Sequence, residues 1–374
     1  MTGLAHARSH DTERFAARGE RALAATTEAD LQGLLVTPGA DLVYLTGYEP
    51  PPLERLTLLI LARGRDPVLV VPALERPAAQ VAPGMAGVEL SPWRDDEDPY
   101  ELAARILRAG RYAITDATWA VHLLALEQAT ADCYFVASGR ALPLLRAVKD
   151  EDEIDRLRTA AEGADAAFAQ VVTTRFEGRR EMDLAADLDR LLREHSHDRV
   201  DFTIVGSGPN SASPHHRSGE RVIARGDAVV MDFGGVANGY CSDITRTVFV
   251  GEPTQEQRRV YETVRAAQQA AFDAVRPGVP AQEVDRAARA VISDAGYGEF
   301  FVHRTGHGIG IETHEPPYIV EGNEIPLRPA MTFSDEPGIY LSGKFGVRIE
   351  DQVVVTDNGA ERLNEATREL TVVG

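Results

Sequence analysis

Cysteine is nearly absent. The 374 residues hold two, Cys133 and Cys241, far apart in the chain, which excludes a disulfide framework and a thiolate metal site. Positive charge is scarce as well: 39 lysines and arginines face 58 acids, a formal charge of −19, so no basic face is on offer for nucleic acid or anionic lipid. No apolar run approaches the length of a membrane span, and the polar opening MTGLAHARSHDTERFAARGER lacks an apolar signal core. A cytoplasmic protein with no membrane or nucleic-acid partner is therefore expected. At about 150 residues per domain, the length predicts two or three domains, each large enough for a core.

The first third reads as an α/β module. A polar helix near Glu13 to Ala25 precedes a strand Gly33 to Val36, a turn at Pro38-Gly39 and a second short strand with Tyr44 and Leu45. Apolar runs Leu56 to Leu61 and Pro67 to Val71 follow, with helices at Tyr100 to Ala109 and His122 to Ala131, as suits a sheet covered by helices. No catalytic groups cluster here. Trp93, in a run of acids, reads as a buried ring in a solvated loop.

A boundary falls near Arg146 to Asp150. Asp150 and Glu153 form a capping-box pattern, after which Ile154, Leu157, Ala161, Ala164, Phe168 and Val171 recur at helical spacing. Further helices are expected over Glu181 to Glu194, from Thr254 with Gln257 as its capping partner to Pro277-Gly278, and over Gln282 to Ala295. Two helix-helix-strand halves are suggested, with no repeat in the residues themselves.

Polar groups gather between these helix pairs. In MDFGGVANGYCSDITRT, Met231 to Thr247, Asp232 and Asp243 stand on strands joined by the turn dipeptide Asn238-Gly239, with the register left open by Gly234-Gly235. Two carboxylates brought together in an apolar setting repel each other unless a proton or cation lies between them, although an isolated aspartate pair is as readily an ordinary turn feature. The loop IVGSGPNSASPHHRSGE carries His215 and His216, of which His216 reads as a bystander. FFVHRTGHGIGIETHE spaces His303, His307 and His314 among glycines that let backbone approach closely. Glu336 lies in FSDEPGIY and Glu350 in FGVRIEDQVVV, where it reads as an acid within a strand and needs a partner. Arg348, two residues earlier, shares its face and can orient a carboxylate or bind substrate. Asp232, Asp243, Glu336, Glu350 and His307 together match two divalent ions held by bridging carboxylates.

MDFGGVANGYCSDITRT, HRTGHGIGIETHE, DEPGIY and GVRIEDQVVV resemble the signatures of the pita-bread metallopeptidases, in the proline-specific branch of Xaa-Pro dipeptidases and Xaa-Pro aminopeptidases. The similarity spans most of residues 149–357, and Leu34 to Val71 is similar to the N-terminal domain of the same family. The resemblance implies an α+β protein: a smaller N-terminal α/β domain of creatinase/prolidase type over 1–148 and a pita-bread metallopeptidase domain over 149–374. It further implies a hydrolase cutting the imido bond before proline in Xaa-Pro dipeptides or short peptides, with an Xaa-Pro aminopeptidase for longer peptides as the alternative. Asp232 would chelate one metal, His307 and Glu336 the other, and Asp243 and Glu350 would bridge them. Glu336 would relay the proton, His215 and His314 would hydrogen-bond the tetrahedral intermediate and the prolyl part, and His303 would line the proline pocket. Oxygen-rich ligation favours two Mn²⁺ ions per chain, with Co²⁺ or Zn²⁺ able to occupy the same geometry.

Two departures stand out. Tyr318 occupies the place where small prolidases carry an arginine for the dipeptide's free carboxylate, leaving Arg304, Arg328 or Arg348 as substitutes or longer peptides as substrates. Asp335 stands where the family has an apolar residue. Creatinase-like C–N hydrolases and metal-free pita-bread binding proteins, the rival classes, should lack ligands that are complete here. The loop Gly47 to Pro52, with Tyr48 as an aromatic tip, is expected to limit substrate length in a homodimer.

Overall fold

The computed structural model describes the backbone of residues 2–374 and the side chains from Thr12 onward, and the chain divides into one unit ending at Arg146 and a second covering Ala147–Gly374. In the first unit the apolar runs become strands β1 (Gly33–Val36), β2 (Leu58–Ala62), β3 (Val68–Pro72), β4 (Glu89–Trp93), β5 (Gly110–Ile114) and β6 (Cys133–Ala137) of a mixed sheet ordered β4-β3-β2-β1-β5-β6. β1, β2 and β3 are buried along their whole length, which is why they read as continuous apolar runs. Trp93 is buried, its Nε1 donating to the Leu56 carbonyl at 2.9 Å. Three expectations fail in this unit. Trp93 ends strand β4 and does not lie in a loop. Tyr44 and Leu45 belong to a helix, Ala40–Thr46, because Leu42 and Leu45 bury at three-residue spacing and Gly47, at φ 66°, closes the turn in a left-handed conformation. Tyr48 is no exposed tip: its ring is buried, and the exposed residues of that stretch are Glu49, Pro51, Pro52, Leu53 and Glu54.

The second unit opens on the helix Glu151–Val171, whose Asp150–Glu153 capping box is formed, followed by the helix Glu181–Glu194. Strands β7 (Arg199–Ser207), β8 (Ala228–Ala237), β9 (Tyr240–Cys241) and β10 (Ile244–Val250) come next. The pattern then repeats. Helices Gln255–Ala274, capped by Thr254 and Gln257, and Ala281–Asp294 precede β11 (Gly306–Gly308), β12 (Glu315–Ile319), β13 (Thr332–Asp335), β14 (Gly338–Leu341), β15 (Phe345–Arg348), β16 (Asp351–Val355) and β17 (Ala360–Arg362). Strand β18 (Thr371–Val373) returns to pair with β10, giving sheets ordered β18-β10-β8-β7 and β12-β11-β13-β16-β17 and a ribbon β14-β15. The first helix pair covers the first sheet through Phe168, Leu184 and Leu188 against Val205, Met231 and Val248.

The hairpin from β8 to β10 turns at Asn238 and Gly239, both at positive φ (52° and 79°), the conformation a two-residue hairpin requires. Gly234-Gly235 does not disturb it, since Ala237–Tyr240, Val236–Cys241, Phe233–Ile244 and Asp232–Thr245 fall in one unbroken register. Gly234 has a different task. A Cβ there would overlap the carbonyl oxygen of Ser242 and crowd Phe202, so only glycine lets the Ser242-Asp243 corner close onto β8. Gly234→Ala should therefore destabilise the fold by about 1–3 kcal/mol, the usual range for overpacking, as measured by urea unfolding. A variant as stable as the parent would show that this corner yields freely.

Candidate metal centre

Asp232 lies opposite Thr245 across the β8–β10 pair, and Asp243 precedes Thr245 by two residues, so alternation places all three side chains on one face. The second sheet brings the other groups. His307 is in β11, Glu336 follows β13, and Glu350 sits in the break between β15 and β16. Glu350 is thus not within a continuous strand: its N–H donates to the Thr245 carbonyl at 3.0 Å in an isolated bridge, which interrupts the ladder and turns its carboxylate toward Asp243.

Among the described residues, the sets of three groups close enough to hold an ion all lie here: Asp232, Asp243 and Glu350; His307, Glu336 and Glu350; and Asp243, His307 and His314, each with ligand atoms within 4.8 Å of one another. Glu350, Asp243 and His307 each belong to two sets. His307 Nε2 stands 3.5 Å from Asp243 Oδ2 and 3.4 Å from Glu336 Oε1, while its Nδ1 faces the Gly308 carbonyl at 3.1 Å. A carbonyl can only accept, so Nδ1 carries the hydrogen and the Nε2 lone pair points at the carboxylates, ready for a metal.

The electrostatics ask for a cation. Burial, then the charges of Asp232 and Glu336, hold the Asp243 carboxyl well above the usual range, and burial, then Asp243 and Glu336, do the same to Glu350. Glu336 is pushed up to about 7, chiefly by burial. Asp232 is raised by burial against the opposing charge of Arg348, and its buried Oδ1 has no hydrogen-bond partner. An orphaned carboxylate oxygen beside three strained carboxyls and a bare imidazole nitrogen is a donor set that fits divalent ions.

A web of hydroxyls and one guanidinium orients these groups. Thr245 Oγ1 donates to Glu350 Oε2 at 2.6 Å and accepts from Arg348 Nε at 3.0 Å, and Ser334 Oγ accepts from His307 N–H at 3.0 Å and donates to Glu336 Oε1 at 3.1 Å. Arg348 also pairs with Asp232 and donates to Tyr340 Oη at 3.0 Å. Of the two roles open to it from sequence, this is the orienting one. Tyr340 in turn donates to His303 Nε2 at 2.8 Å, because His303 Nδ1 gives its hydrogen to the Arg304 carbonyl at 2.7 Å. His303 lines the cavity, but both ring nitrogens are engaged and burial pushes it down to about 3, so it offers a neutral ring. Exposed His314 meets the His307 ring edge-on at 4.0 Å, and exposed His215 borders the same cavity of about 510 Å³, the size of a small-molecule site.

Sequence reasoning missed three supports. Thr245 was legible, two residues beyond Asp243 on the same face. Tyr340 and Glu181 were not. Buried Glu181 accepts from Ser207 N–H (2.8 Å), Ser207 Oγ (2.7 Å), Asn210 Nδ2 (3.0 Å) and His216 Nε2 (2.7 Å), and so pins the loop that carries His215. His216 is therefore an anchor of that loop, not a bystander.

Residues 155–357 match the model of metallopeptidase family M24, and residues 18–148 match the creatinase/prolidase N-terminal domain. The chain belongs to metallopeptidase family M24. Within it, the probable dipeptidase PepE of Mycobacterium tuberculosis is 46% identical over 370 residues, 98% of each chain. The Xaa-Pro dipeptidase of Lactobacillus delbrueckii subsp. lactis is 37% identical over 341 residues, 88% of this chain and 92% of that one. The crystal structure of dipeptidase PepE from Mycobacterium ulcerans superposes with a TM-score of 0.94 at 46% identity, over 97% of this chain and 99% of that one. These matches establish the pita-bread architecture with its creatinase-type N-terminal domain. No helix among the described residues is long and apolar enough to cross a membrane.

The raised carboxyls have a consequence for stability. The folded, metal-free protein keeps protons on Asp243 and Glu350 that the unfolded chain has released above the ordinary carboxylate range, so it binds more protons than the unfolded chain and loses stability as pH rises. His303 and His307, both pushed down to about 3, act in the opposite sense, but only below the ordinary imidazole value of about 6.5. Above about pH 6.5, and up to the raised carboxyl values, neither histidine opposes the carboxyl effect. The melting temperature of chelator-treated protein should fall across that interval, while the metal-loaded protein holds steady. A chelated protein whose melting temperature rises with pH there would contradict this account of the centre.

Proposed function

We propose that this M24 peptidase cleaves the bond before proline in Xaa-Pro dipeptides or short peptides, using two divalent ions, with manganese favoured by the oxygen-rich ligands. One observation carries the reading: two three-ligand sets that share Glu350 meet on one cavity wall, and Asp232 there keeps an unpartnered buried oxygen. Asp232 would hold one ion, His307 and Glu336 the other, and Asp243 and Glu350 both. When bound, the pair of ions supplies hydroxide near neutral pH and polarises the scissile carbonyl.

The side chains supply the rest. Glu336, as a ligand carboxylate, is suited to take a proton from the attacking water and return it to the leaving imino nitrogen. His215 and His314, both exposed to the cavity, donate to the oxygen of the tetrahedral intermediate. Phe202, Ile204 and the neutral ring of His303 offer the apolar wall a pyrrolidine ring needs. The dipeptidase and Xaa-Pro dipeptidase names of the relatives support this substrate class, and the complete ligand set disfavours the creatinase-like and metal-free readings. The reading includes a homodimer, which sedimentation of the purified protein tests.

Chelation should abolish Xaa-Pro cleavage, and manganese or cobalt should restore it. His307→Ala and Asp243→Ala should each lose metal along with activity. His314→Ala should keep its metal while kcat falls on the order of a hundredfold, the effect of removing one donor to an oxyanion. Full activity in protein shown to be metal-free would sink the mechanism, and loss of metal from the His314 variant would reassign that residue.

A further inference from the structure

The cavity is bordered by two arginines, and their surroundings differ completely. Arg348 is 2% exposed and committed to Asp232, Thr245 and Tyr340. Arg304 is half-buried. No carboxylate among the described residues lies within ion-pair distance of its guanidinium, in a unit where most arginines are paired. Arg328, the third cation near this part of the chain, is exposed and does not border the cavity.

Arg304 is nonetheless held in place. Its guanidinium carbon lies 4.4 Å from the centre of the Tyr318 ring, and Tyr318 stands directly across from His307 in the β11–β12 pair. The Thr305 N–H donates to the Ile319 carbonyl at 3.0 Å, which clamps the Arg304 backbone to β12. An aromatic ring takes up the face of a guanidinium and leaves the in-plane N–H fork free, the geometry that grips a carboxylate through two parallel hydrogen bonds. A cation placed this way has no carboxylate partner among the described residues, and a free peptide carboxylate is the anion that a peptidase cavity receives.

We propose that Arg304, seated on Tyr318, binds the C-terminal carboxylate of the substrate and makes the enzyme selective for dipeptides over longer or amidated peptides. This rests on the proline-specific reading above and adds what that reading leaves open. In a tripeptide or an amide the same position holds a neutral group, which forfeits a charge-assisted pair whose loss is on the order of ten- to a hundredfold. Tyr318 therefore acts as a positioning residue: it touches Arg304, and Arg304 touches substrate.

The test uses the manganese-loaded full-length enzyme with an Xaa-Pro dipeptide, its C-terminal amide and the matching Xaa-Pro-Yaa tripeptide. The parent should favour the dipeptide over the amide in kcat/KM by roughly ten- to a hundredfold. In Arg304→Gln that ratio should fall to near unity, mainly through a higher KM for the dipeptide, with metal content as in the parent. Tyr318→Leu, which keeps the charge but removes its seat, should show the same KM effect to a smaller degree and serves if the first variant folds poorly. Equal use of dipeptide and amide by the parent, or an Arg304→Gln variant that keeps the parental ratio, would overturn the anchor while leaving proline-specific cleavage intact. Cleavage of none of the three by the metal-loaded parent would overturn the proline-specific reading, and the anchor with it.

Discussion

Four carboxylates converge in one buried cavity, and the arrangement of the second unit follows from holding them there. Left to themselves they would repel one another and pull water into the core; burial raises all four, and neighbouring carboxylates add to it at Asp243, Glu336 and Glu350. Arg348 neutralises only Asp232, and the hydroxyls of Thr245 and Ser334 each satisfy one oxygen without bringing charge. The remaining compensation must come from a proton or a metal. Rigidity makes this strain useful. A flexible loop would splay the carboxylates apart, whereas paired strands keep them at a spacing that a small dication can close.

The two sheets meet at that point, and the seam between them is built as carefully as the ligands. Arg246, 1% exposed, donates to the carbonyls of Thr245 (3.0 Å), Glu350 (2.5 Å), Ala366 (2.8 Å) and Thr367 (2.9 Å) and pairs with Asp351 at 2.6 Å. One side chain thus fastens β10 of the first sheet to the start of β16 and to the segment leading into β18. The backbone of Glu350 is fixed from both sides, by Arg246 at its carbonyl and by Thr245 at its N–H, so its carboxylate starts from a defined position. Asp335 belongs to this neighbourhood. It is the direct cross-strand partner of Asp351, and burial, then the Asp351 charge, hold its carboxyl well above the usual range. Burial and the Asp351 charge thus disfavour its ionised form, in keeping with a place of apolar character.

What could be read in the sequence was what local chemistry encodes. Asn238-Gly239 forces a two-residue turn, the pairs Asp150–Glu153 and Thr254–Gln257 cap their helices, and the alternation around Asp243 and Arg348 sets which side chains share a face. Each acts within a few residues. Tyr44 was misread because β-propensity in a short segment gave way to the burial of Leu42 and Leu45 on a helical face. Glu350 was read into a continuous strand because its bridge to Thr245, more than a hundred residues away, leaves no local mark. The role of Glu181 was hidden in the same way, since its partners Ser207, Asn210 and His216 lie 26 to 35 residues further along the chain.

Three arginines of one unit show why residue type alone does not assign a role. Arg246 is saturated by four backbone carbonyls and one carboxylate, so its charge is spent on holding strands together. Arg348, inside the cavity, is divided between an aspartate, a threonine and a tyrosine, so it tunes and orients the proposed ligands. Arg304 borders the cavity with no ion pair among the described residues, its guanidinium lying over the ring of Tyr318. Desolvating a guanidinium without a counter-ion works against folding unless something repays it. Tyr318 repays part through its ring, and the remainder is available to whatever anion enters. The fold thus fills the sockets of two cations and leaves that of the third to be filled by a ligand.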